Sequence, residues 1–277
     1  MRFTKMHGLG NDFVLVNGFT EQLPTDLAAL AKTICHRQLG IGADGLLVLK
    51  PIAGYDSEFL IFNFDGSQAE MCGNGVRCAA LFAKNQGIIQ KDQFVFLTLA
   101  GPISPTIIDQ EQGIVRVNMG EPRLRPAEIP ADFEGSRVVS EPLVVGDKSY
   151  NVTLVSMGNP HCVIFVNDFD LASFPVEKIG PLIEHHPSFP ARINVEFVKL
   201  ISDEVIKMRV WERGCGETYA CGTGACAAVV ASVLNGFTKS NCQVQLTYGS
   251  LNIKWVDQQK VFMTGPATFV AEGEFFI

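Results

Sequence analysis

Two cysteines draw attention because each begins the same short motif. Cys72 opens CGNGVRC and Cys221 opens CGTGACA, so Cys-Gly-x-Gly occurs once in each half of the chain. A pair of thiols suits a reaction in which one base removes a proton from one face of a tetrahedral carbon and a conjugate acid delivers a proton to the opposite face. The doubled motif therefore favours racemisation or epimerisation at a carbon that bears an acidic hydrogen.

The eight cysteines also allow two simpler interpretations, a zinc site and a disulfide framework. They include no Cys-x-x-Cys pair and no cysteine–histidine zinc motif, which argues against both. We therefore expect no metal and no cofactor. We interpret five of the six cysteines outside the motif as small buried apolar side chains, namely Cys35, Cys78, Cys162, Cys226 and Cys242.

Composition limits the partners of the chain. Its 277 residues carry a formal net charge of −7, and 47% of them are hydrophobic. The absence of a basic cluster argues against nucleic-acid binding, and the absence of a long apolar run argues against a membrane span. The N-terminus lacks the apolar core of a secretory signal, so we expect a cytoplasmic protein whose partner is a small molecule. A homodimer is left open.

A nearly apolar segment follows each cysteine motif and predicts a buried helix, because a helix that is apolar all round is buried all round. Gly87 and Gly236 end these helices as left-handed caps. Each Cys-Gly-x-Gly would then lie at a helix N-terminus, where backbone N–H groups and the helix dipole favour an anion. Such a site can hold a carboxylate while the neighbouring carbon becomes a carbanion.

Strands are predicted around these helices by short runs of β-branched and aromatic residues. The runs are 12–17, 45–50, 58–64, 93–99, 152–156, 161–166, 195–200 and 205–211. An amphipathic pattern predicts one further helix at 25–37. Residues around the two motifs match at a nearly constant offset, so the halves repeat one plan. The Pro-rich stretch 119–137 marks the boundary between them.

Two polar residues are candidates for tuning the thiols, His161 and Glu212. A hydrogen-bonded structural histidine is an equal interpretation of His161. One helix dipole contributes about 0.3 to 1 kcal/mol, which is too little to ionise a cysteine of pKa about 8.5 at neutral pH. Because a first thiolate would oppose loss of the second proton, we expect the two thiols to titrate as a coupled pair.

The chain resembles the diaminopimelate epimerase family over essentially its whole length. The motifs that carry the resemblance are KMHGLGNDF (5–13), GIGADG (40–45), FNFDGSQAEMCGNGVRC (62–78), MGNPHCV (157–163), RINVEF (192–197), WERGCGETYACGTGACA (211–227) and MTGPA (263–267). The resemblance implies an isomerase of amino-acid biosynthesis that acts by cysteine catalysis, without PLP. It would interconvert LL- and meso-2,6-diaminopimelate on the route to lysine and peptidoglycan precursors.

The expected fold class is α/β (α+β), with two pseudo-symmetric domains. Each would be a mixed, barrel-like sheet wrapped around a central buried helix, and the active site would lie in the cleft between them. The resemblance implies that the last strand returns to pack with the first. The predicted domains are therefore 1–118 plus 265–277, and 119–264.

The resemblance also implies residue roles. Cys72 and Cys221 would be the acid/base pair, and backbone N–H groups would hold the reacting carboxylate, those of Gly73, Asn74, Gly222 and Thr223. Glu212 would lie near the substrate ammonium. The other substrate-binding residues would be Asn11, Asn63, Asn159, Asn194 and Arg213. From the sequence alone, Asn11 and Asn159 also fit turn positions, and Arg213 fits a surface charge.

Two other functions fit part of the sequence pattern. A proline or hydroxyproline racemase is related in fold, but we would expect histidine at position 74 there, where this chain has Asn74. A redox or zinc-binding protein would use the cysteines without α-proton chemistry. We also predict that Cys72 and Cys221 can form a disulfide that stops catalysis.

Overall fold

A computed structural model describes residues 1–276 of the chain. The chain divides into two compact units, Met1–Asn118 with Thr264–Ile277, and Met119–Met263. The predicted domain assignment, in the sense of two parts that fold independently, stays a prediction. The α-helices are α1 (Leu27–Ile34), α2 (Gly73–Asn85), α3 (Val176–Glu184) and α4 (Gly222–Leu234), with a 3-10 turn at Pro126–Glu128.

The first unit contains one long mixed sheet and a further antiparallel pair of strands. Its strands are β1 (Arg2–Gly8), β2 (Asn11–Asn17), β3 (Gly45–Lys50), β4 (Ser57–Asn63), β5 (Phe96–Thr98), β6 (Gly101–Ile103), β7 (Pro105–Asp109) and β8 (Ile114–Asn118). The final strand of the chain, Thr268–Glu274, pairs antiparallel with β1, which confirms the expected return of the C-terminus. The sheet continues from β1 through β2, β3, β4 and β5 to β6, while β7 and β8 form an antiparallel pair.

The second unit repeats this construction. Its strands are β9 (Glu141–Val145), β10 (Lys148–Ser156), β11 (Pro160–Phe165), β12 (Asn194–Ser202), β13 (Val205–Glu212), β14 (Gly216–Thr218), β15 (Asn241–Leu246) and β16 (Gly249–Trp255). They lie in the order β16-β15-β13-β12-β11-β10-β9, with β14 paired to β13. β17 (Val261–Pro266) then carries the chain back into the first unit, where the final strand is β18 (Thr268–Glu274).

The pairing pattern shows that the two units share one topology. In the first unit the successive pairs β1/β2, β2/β3, β3/β4, β4/β5 and β5/β6 alternate between antiparallel and parallel. In the second unit β10/β11, β11/β12, β12/β13, β13/β15 and β15/β16 alternate in the same way. The fold class of two sheet-rich mixed halves is thereby confirmed, and the internal repeat seen in the sequence reflects a repeated topology.

α2 and α4 are the central helices of their units. α2 contacts β1, β2, β3, β7 and β8, and α4 contacts β10 to β13, β15 and β16. Both are buried over most of their length, as their apolar sequences predict. Each ends before a glycine in the left-handed region, Gly87 at φ 69° and Gly236 at φ 73°. The predicted helix caps are therefore confirmed.

α1 and α3 occupy equivalent positions between the parallel strands of each unit. α1 is shorter than the predicted 25–37, because Asp26 caps it and the chain leaves the helix after Ile34. α3 was not predicted, since Gly180 and Pro181 interrupt its sequence pattern. A Cβ at Gly180 would lie 2.5 Å from Cγ of Trp211, so glycine is needed for close packing of α3 on β13.

The predicted strands form, with changed boundaries. The run 93–99 is reduced to β5, whereas the run 152–156 extends to the nine residues of β10. The strands that the sequence did not predict include short, largely exposed ones such as β9, where only Leu143 and Val145 are buried. Within residues 1–276, no helix is long and apolar enough to cross a membrane.

Candidate active site

In the first unit, Cys72 serves as the N-cap of α2. Its backbone is extended, with φ −144° and ψ 111°, and its sulfur accepts a hydrogen bond of 3.4 Å from the N–H of Gly75. This fixes the sulfur at the N-terminus of the helix. The N–H groups of Gly73 and Asn74 belong to the same first turn, where no helical carbonyl can accept from them. The predicted thiol and the predicted anion-binding backbone are thus adjacent.

Asn11 connects this turn to the sheet. Its Oδ1 lies 3.7 Å from Sγ of Cys72 and accepts a 3.2 Å hydrogen bond from Nδ2 of Asn74. Its Nδ2 donates to Asp44 at 2.7 Å. The structure therefore brings together three of the predicted site residues. Asp44, which the sequence reasoning did not single out, orients the Asn11 amide.

A second residue missed from the sequence is Arg77. Its side chain is 0% exposed and donates to the carbonyl of Gly73 at 3.3 Å, to Oδ1 of Asn74 at 2.9 Å and to the carbonyl of Pro266 at 3.1 Å. It thereby ties the first turn of α2 to the C-terminal segment. The sequence does carry a signal for Arg77, because it is a charged residue within the nearly apolar stretch of α2.

Asn63 ends β4 and is exposed. Its Nδ2 donates to Oγ of Ser67 at 2.9 Å, and its backbone N–H bonds the carbonyl of the same serine. These bonds close the turn after β4. A role of Asn63 in binding substrate stays a prediction.

In the second unit, Cys221 repeats the capping geometry of Cys72. Its backbone has φ −117° and ψ 111°, and its sulfur accepts from the N–H of Gly224 at 3.3 Å. The sulfur also lies 3.4 Å from Oγ1 of Thr223, and the residue is only 6% exposed. The predicted backbone donors Gly222 and Thr223 form the first turn of α4.

Glu212 stands at the end of β13, beside this thiol. Thr218 on the adjacent strand donates a short hydrogen bond to its Oε1. Burial raises the pKa of the Glu212 carboxyl above its usual range. The hydrogen bonds from Thr218 and Cys221 and the charge of His161 lower that pKa, while the charge of Glu196 raises it. Thr218 was not predicted; its partner role follows from the hairpin formed by β13 and β14.

Burial also raises the pKa of the Cys221 thiol, well above its usual value. The charges of Glu212 and Glu196 raise it further, whereas the hydrogen bonds from Thr223 and from the N–H of Gly224 lower it. The raising effects dominate because the thiol is buried near two carboxylates and thiolate formation would place a third negative charge beside them. This environment therefore disfavours the thiolate form of Cys221.

His161 is fully buried on β11. Its Nε2 lies 3.0 Å from Oδ1 of Asn159, and its Nδ1 lies 2.7 Å from Oε1 of Glu196. The structure thus joins two predicted residues to a third, Glu196, which the sequence reasoning passed over. A carboxylate between the buried residues Val195 and Phe197 of a central strand was the available signal.

Asn194 and Arg213 meet through the backbone. Asn194 is buried, with its Nδ2 donating to the carbonyl of Pro160 at 2.7 Å and its Oδ1 accepting from the N–H of Arg213 at 2.9 Å. The guanidinium of Arg213 is exposed and donates to the carbonyl of Ala191 at 3.1 Å. Asn194 therefore holds β11 and the end of β13 in place. The substrate contacts predicted for both residues stay predictions.

Within residues 1–276, no group of three or more histidine, cysteine, aspartate or glutamate side chains is arranged to hold a metal ion.

Similarity to known proteins points to one family. The sequence profile described as diaminopimelate epimerase matches residues 3–125 and 153–270. The chain belongs to the diaminopimelate epimerase family. Among curated members of this family, the chain is 54% identical to the diaminopimelate epimerase of Desulforudis audaxviator over 99% of both chains. It is 52% identical to that of Pelotomaculum thermopropionicum, again over 99% of both chains.

Solved structures show that the fold reaches beyond close relatives. A Bacillus anthracis protein described as a phenazine biosynthesis protein of the PhzF family aligns with a TM-score of 0.71 at 15% identity, over 100% of this chain and 99% of that one. At this identity the likeness concerns the fold alone. The two-unit architecture is thus shared with proteins of distant sequence.

Proposed function

We propose that the protein is a diaminopimelate epimerase that interconverts LL- and meso-2,6-diaminopimelate, with Cys72 and Cys221 as the two acid/base groups. The observation that carries the proposal is the repeated local geometry of the two cysteines. Each sulfur caps the N-terminus of a central helix and accepts from the glycine N–H three residues on. Membership of the family supplies the substrate.

The reaction needs one thiolate and one thiol. The thiolate removes the α-proton from one face of the substrate, the pair of electrons left on carbon delocalises into the adjacent carboxylate, and the thiol donates its proton to the other face. In the reverse direction the roles exchange. First-turn N–H groups of α2 and α4 stabilise the growing negative charge of the carboxylate. The Cys221 thiol, whose pKa is raised by burial, fits the proton donor in the first direction.

The remaining predicted residues would bind the rest of the substrate. Glu212 offers a carboxylate for an ammonium group, and the other substrate-binding residues would be Asn11, Asn63, Asn159, Asn194 and Arg213. The expectations of a cytoplasmic enzyme in lysine and peptidoglycan precursor synthesis are part of the proposal. So is a homodimer, which sedimentation equilibrium of the purified protein would test.

Proton NMR in heavy water tests the proposal directly. With LL-diaminopimelate, the α-hydrogen signal should disappear as meso product forms, and at early times the deuterium should be in the product rather than in the remaining substrate. Cys72→Ser and Cys221→Ser keep a capping side chain but supply no thiol. Each should lower the exchange rate by at least about 100-fold, the usual contribution of a general acid or base.

Cys78→Ala serves as the matched control, because Cys78 is a buried residue of α2, the helix that Cys72 caps, and lies beyond its first turn. Its exchange rate should stay near that of the parent protein. L-proline as substrate should give no exchange. Exchange with proline, or full activity of either serine variant, would overturn the proposal.

A further inference from the structure

The two helix N-termini are alike in backbone but differ in what lies beneath them. In the first unit, a Cβ placed on Gly75 would meet a methyl group of Leu47 at 3.4 Å. In the second unit, a Cβ placed on Gly224 would meet Oε1 of Glu196 at 2.7 Å. Leu47 and Glu196 have the same sequence offset as the two cysteines and lie on equivalent strands, β3 and β12. The repeated plan therefore places leucine behind one thiol and a carboxylate behind the other.

Glu196 is an unusual occupant of this position. It is 0% exposed, between the apolar residues Val195 and Phe197. Its Oε1 bonds His161, while its Oε2 is buried without a hydrogen-bond partner among residues 1–276. A buried carboxylate with an orphaned oxygen costs stability. A well-packed leucine, as in the other unit, would avoid that cost.

The neighbours of Cys221 show what the carboxylate acts on. On β11, β12 and β13 the acidic, histidine and thiol groups are His161, Cys162, Glu196 and Glu212, and the basic groups are Lys199, Lys207 and Arg209, none of which is fully buried. Burial is the largest cause that raises the pKa of Cys162, Glu212 and Cys221. The charge of Glu196 raises each of these pKa values further, for Cys221 together with the charge of Glu212. The other strands packed on α4 are β10, β15 and β16. Their titratable groups include Lys148 and Lys254, which are exposed, and Tyr150 and Cys242.

We propose that Glu196 is a positioning residue which, held by His161, keeps Cys221 in the thiol form. The inference rests on the proposed function, in which one thiol and one thiolate are required. Cys221 would then enter the reaction as the proton donor. A carboxylate stands behind only this one of two otherwise similar helix caps, since Leu47 takes the equivalent place in the first unit.

The test is a substrate-free titration of Cys221. Cysteine labelled with ¹³C at Cβ reports thiol and thiolate by chemical shift, and the resonance missing from Cys221→Ser identifies Cys221. In Glu196→Gln, which removes the charge but keeps the shape, the titration midpoint of Cys221 should move to lower pH. Glu196→Asp, which keeps the charge, should restore much of the parent midpoint. Glu196→Leu copies the first unit and provides a second charge-free variant if the glutamine variant folds poorly.

Glu184→Gln is the matched control. Glu184 is equally a buried carboxylate of the second unit, but its oxygens accept from Trp211 at 2.7 Å and from the N–H of Gly214 at 2.9 Å. This variant should leave the Cys221 midpoint in place. An unchanged midpoint in the charge-free Glu196 variants, with or without a loss of stability, would show that Glu196 is merely structural and would overturn the proposal.

The pH–rate profile gives an independent readout. Loss of the Cys221 proton sets the alkaline limb under this proposal, so Glu196→Gln should move that limb to lower pH and leave the acid limb in place. A profile with both limbs unchanged would contradict the inference. If the parent protein shows no α-proton exchange with diaminopimelate, the proposed function fails, but the titration still decides the role of Glu196.

Discussion

Glu212 makes the stability of the fold depend on pH. Burial raises the pKa of its carboxyl above the ordinary value of 4.5, so the folded protein holds this proton more tightly than the unfolded chain does. The contribution of this group to stability is therefore fully present below the unfolded pKa and is lost as pH rises through the folded pKa. Above that range the folded state bears the cost of a buried carboxylate.

Glu212→Gln should remove this dependence. Relative to the parent protein, the free energy of unfolding of the variant should increase on going from about pH 5 to about pH 8. Urea unfolding of both proteins at the two pH values measures the change. A difference in stability that is the same at both pH values would contradict the account.

Among individual residues, the sequence predicts those that would do the chemistry better than those that hold them in place. The thiols and the asparagines near them lie in recognisable motifs, and the structure brings Asn11, Cys72 and Asn74 together. Arg77 and Glu196 were missed, because propensity rules treat a charged residue in an apolar element as an exception. Each also has a partner distant in sequence, Pro266 for Arg77 and His161 for Glu196, and no local pattern could reveal these two contacts.

Among the elements, the first turns of α2 and α4 differ in how tightly they are packed. Replacing a helical glycine by alanine usually stabilises a helix by about 0.5 to 1 kcal/mol. Gly75→Ala should approach that gain, since its nearest neighbour is a methyl group of Leu47 at ordinary contact distance. Gly224→Ala should destabilise the protein, because its Cβ would push against the carboxylate of the fully buried Glu196.

Thermal or chemical unfolding of this matched pair measures the difference in sign. A similar effect of both substitutions would show that Glu196 can move away from α4 at little cost. The double variant Gly224→Ala with Glu196→Gln keeps the same steric demand. It therefore tells whether the shape or the charge of residue 196 opposes the new methyl group.

Some helices and strands could be predicted from the sequence and others could not. α2 and α4 are nearly continuous apolar segments that end at glycine, which is a strong local signal. α3 was hidden by Gly180 and Pro181, which interrupt its pattern. The glycine is explained only by the indole of Trp211, which lies against the helix at this position. β5 is shorter than the apolar run that predicted it, and β9 has no apolar run because it is mostly exposed. The bounds of both strands follow from pairing with a neighbouring strand, which the composition of the segment does not reveal.

In the whole molecule, the first and last residues of the second unit lie next to each other. The N–H of Met119 donates to the carbonyl of Val261 at 2.8 Å, and the N–H of Val261 donates to the carbonyl of Gly120 at 2.8 Å. A segment whose ends are hydrogen-bonded to each other can be excised without long loose tails. The internal repeat also gives each unit its own central helix.

Met119–Met263 expressed alone should therefore fold, which tests the predicted domain organisation. Circular dichroism should show mixed helix and strand content, and urea should unfold the segment in one cooperative transition. A dispersed amide NMR spectrum would support the same conclusion. A fragment that binds hydrophobic dyes and unfolds without a cooperative transition would show that the unit depends on the rest of the chain.

The capping role of the two sulfurs has a consequence beyond proton transfer. Each sulfur is the acceptor for one particular backbone amide, Gly75 for Cys72 and Gly224 for Cys221. Alkylation converts the thiol into a bulkier thioether and pushes the sulfur out of its capping position, which leaves that amide open to solvent. Faster deuterium uptake at the amide of Gly75 would therefore report modification of Cys72, and faster uptake at Gly224 would report modification of Cys221. The order in which an electrophile modifies the two cysteines can thus be followed from backbone amide exchange alone.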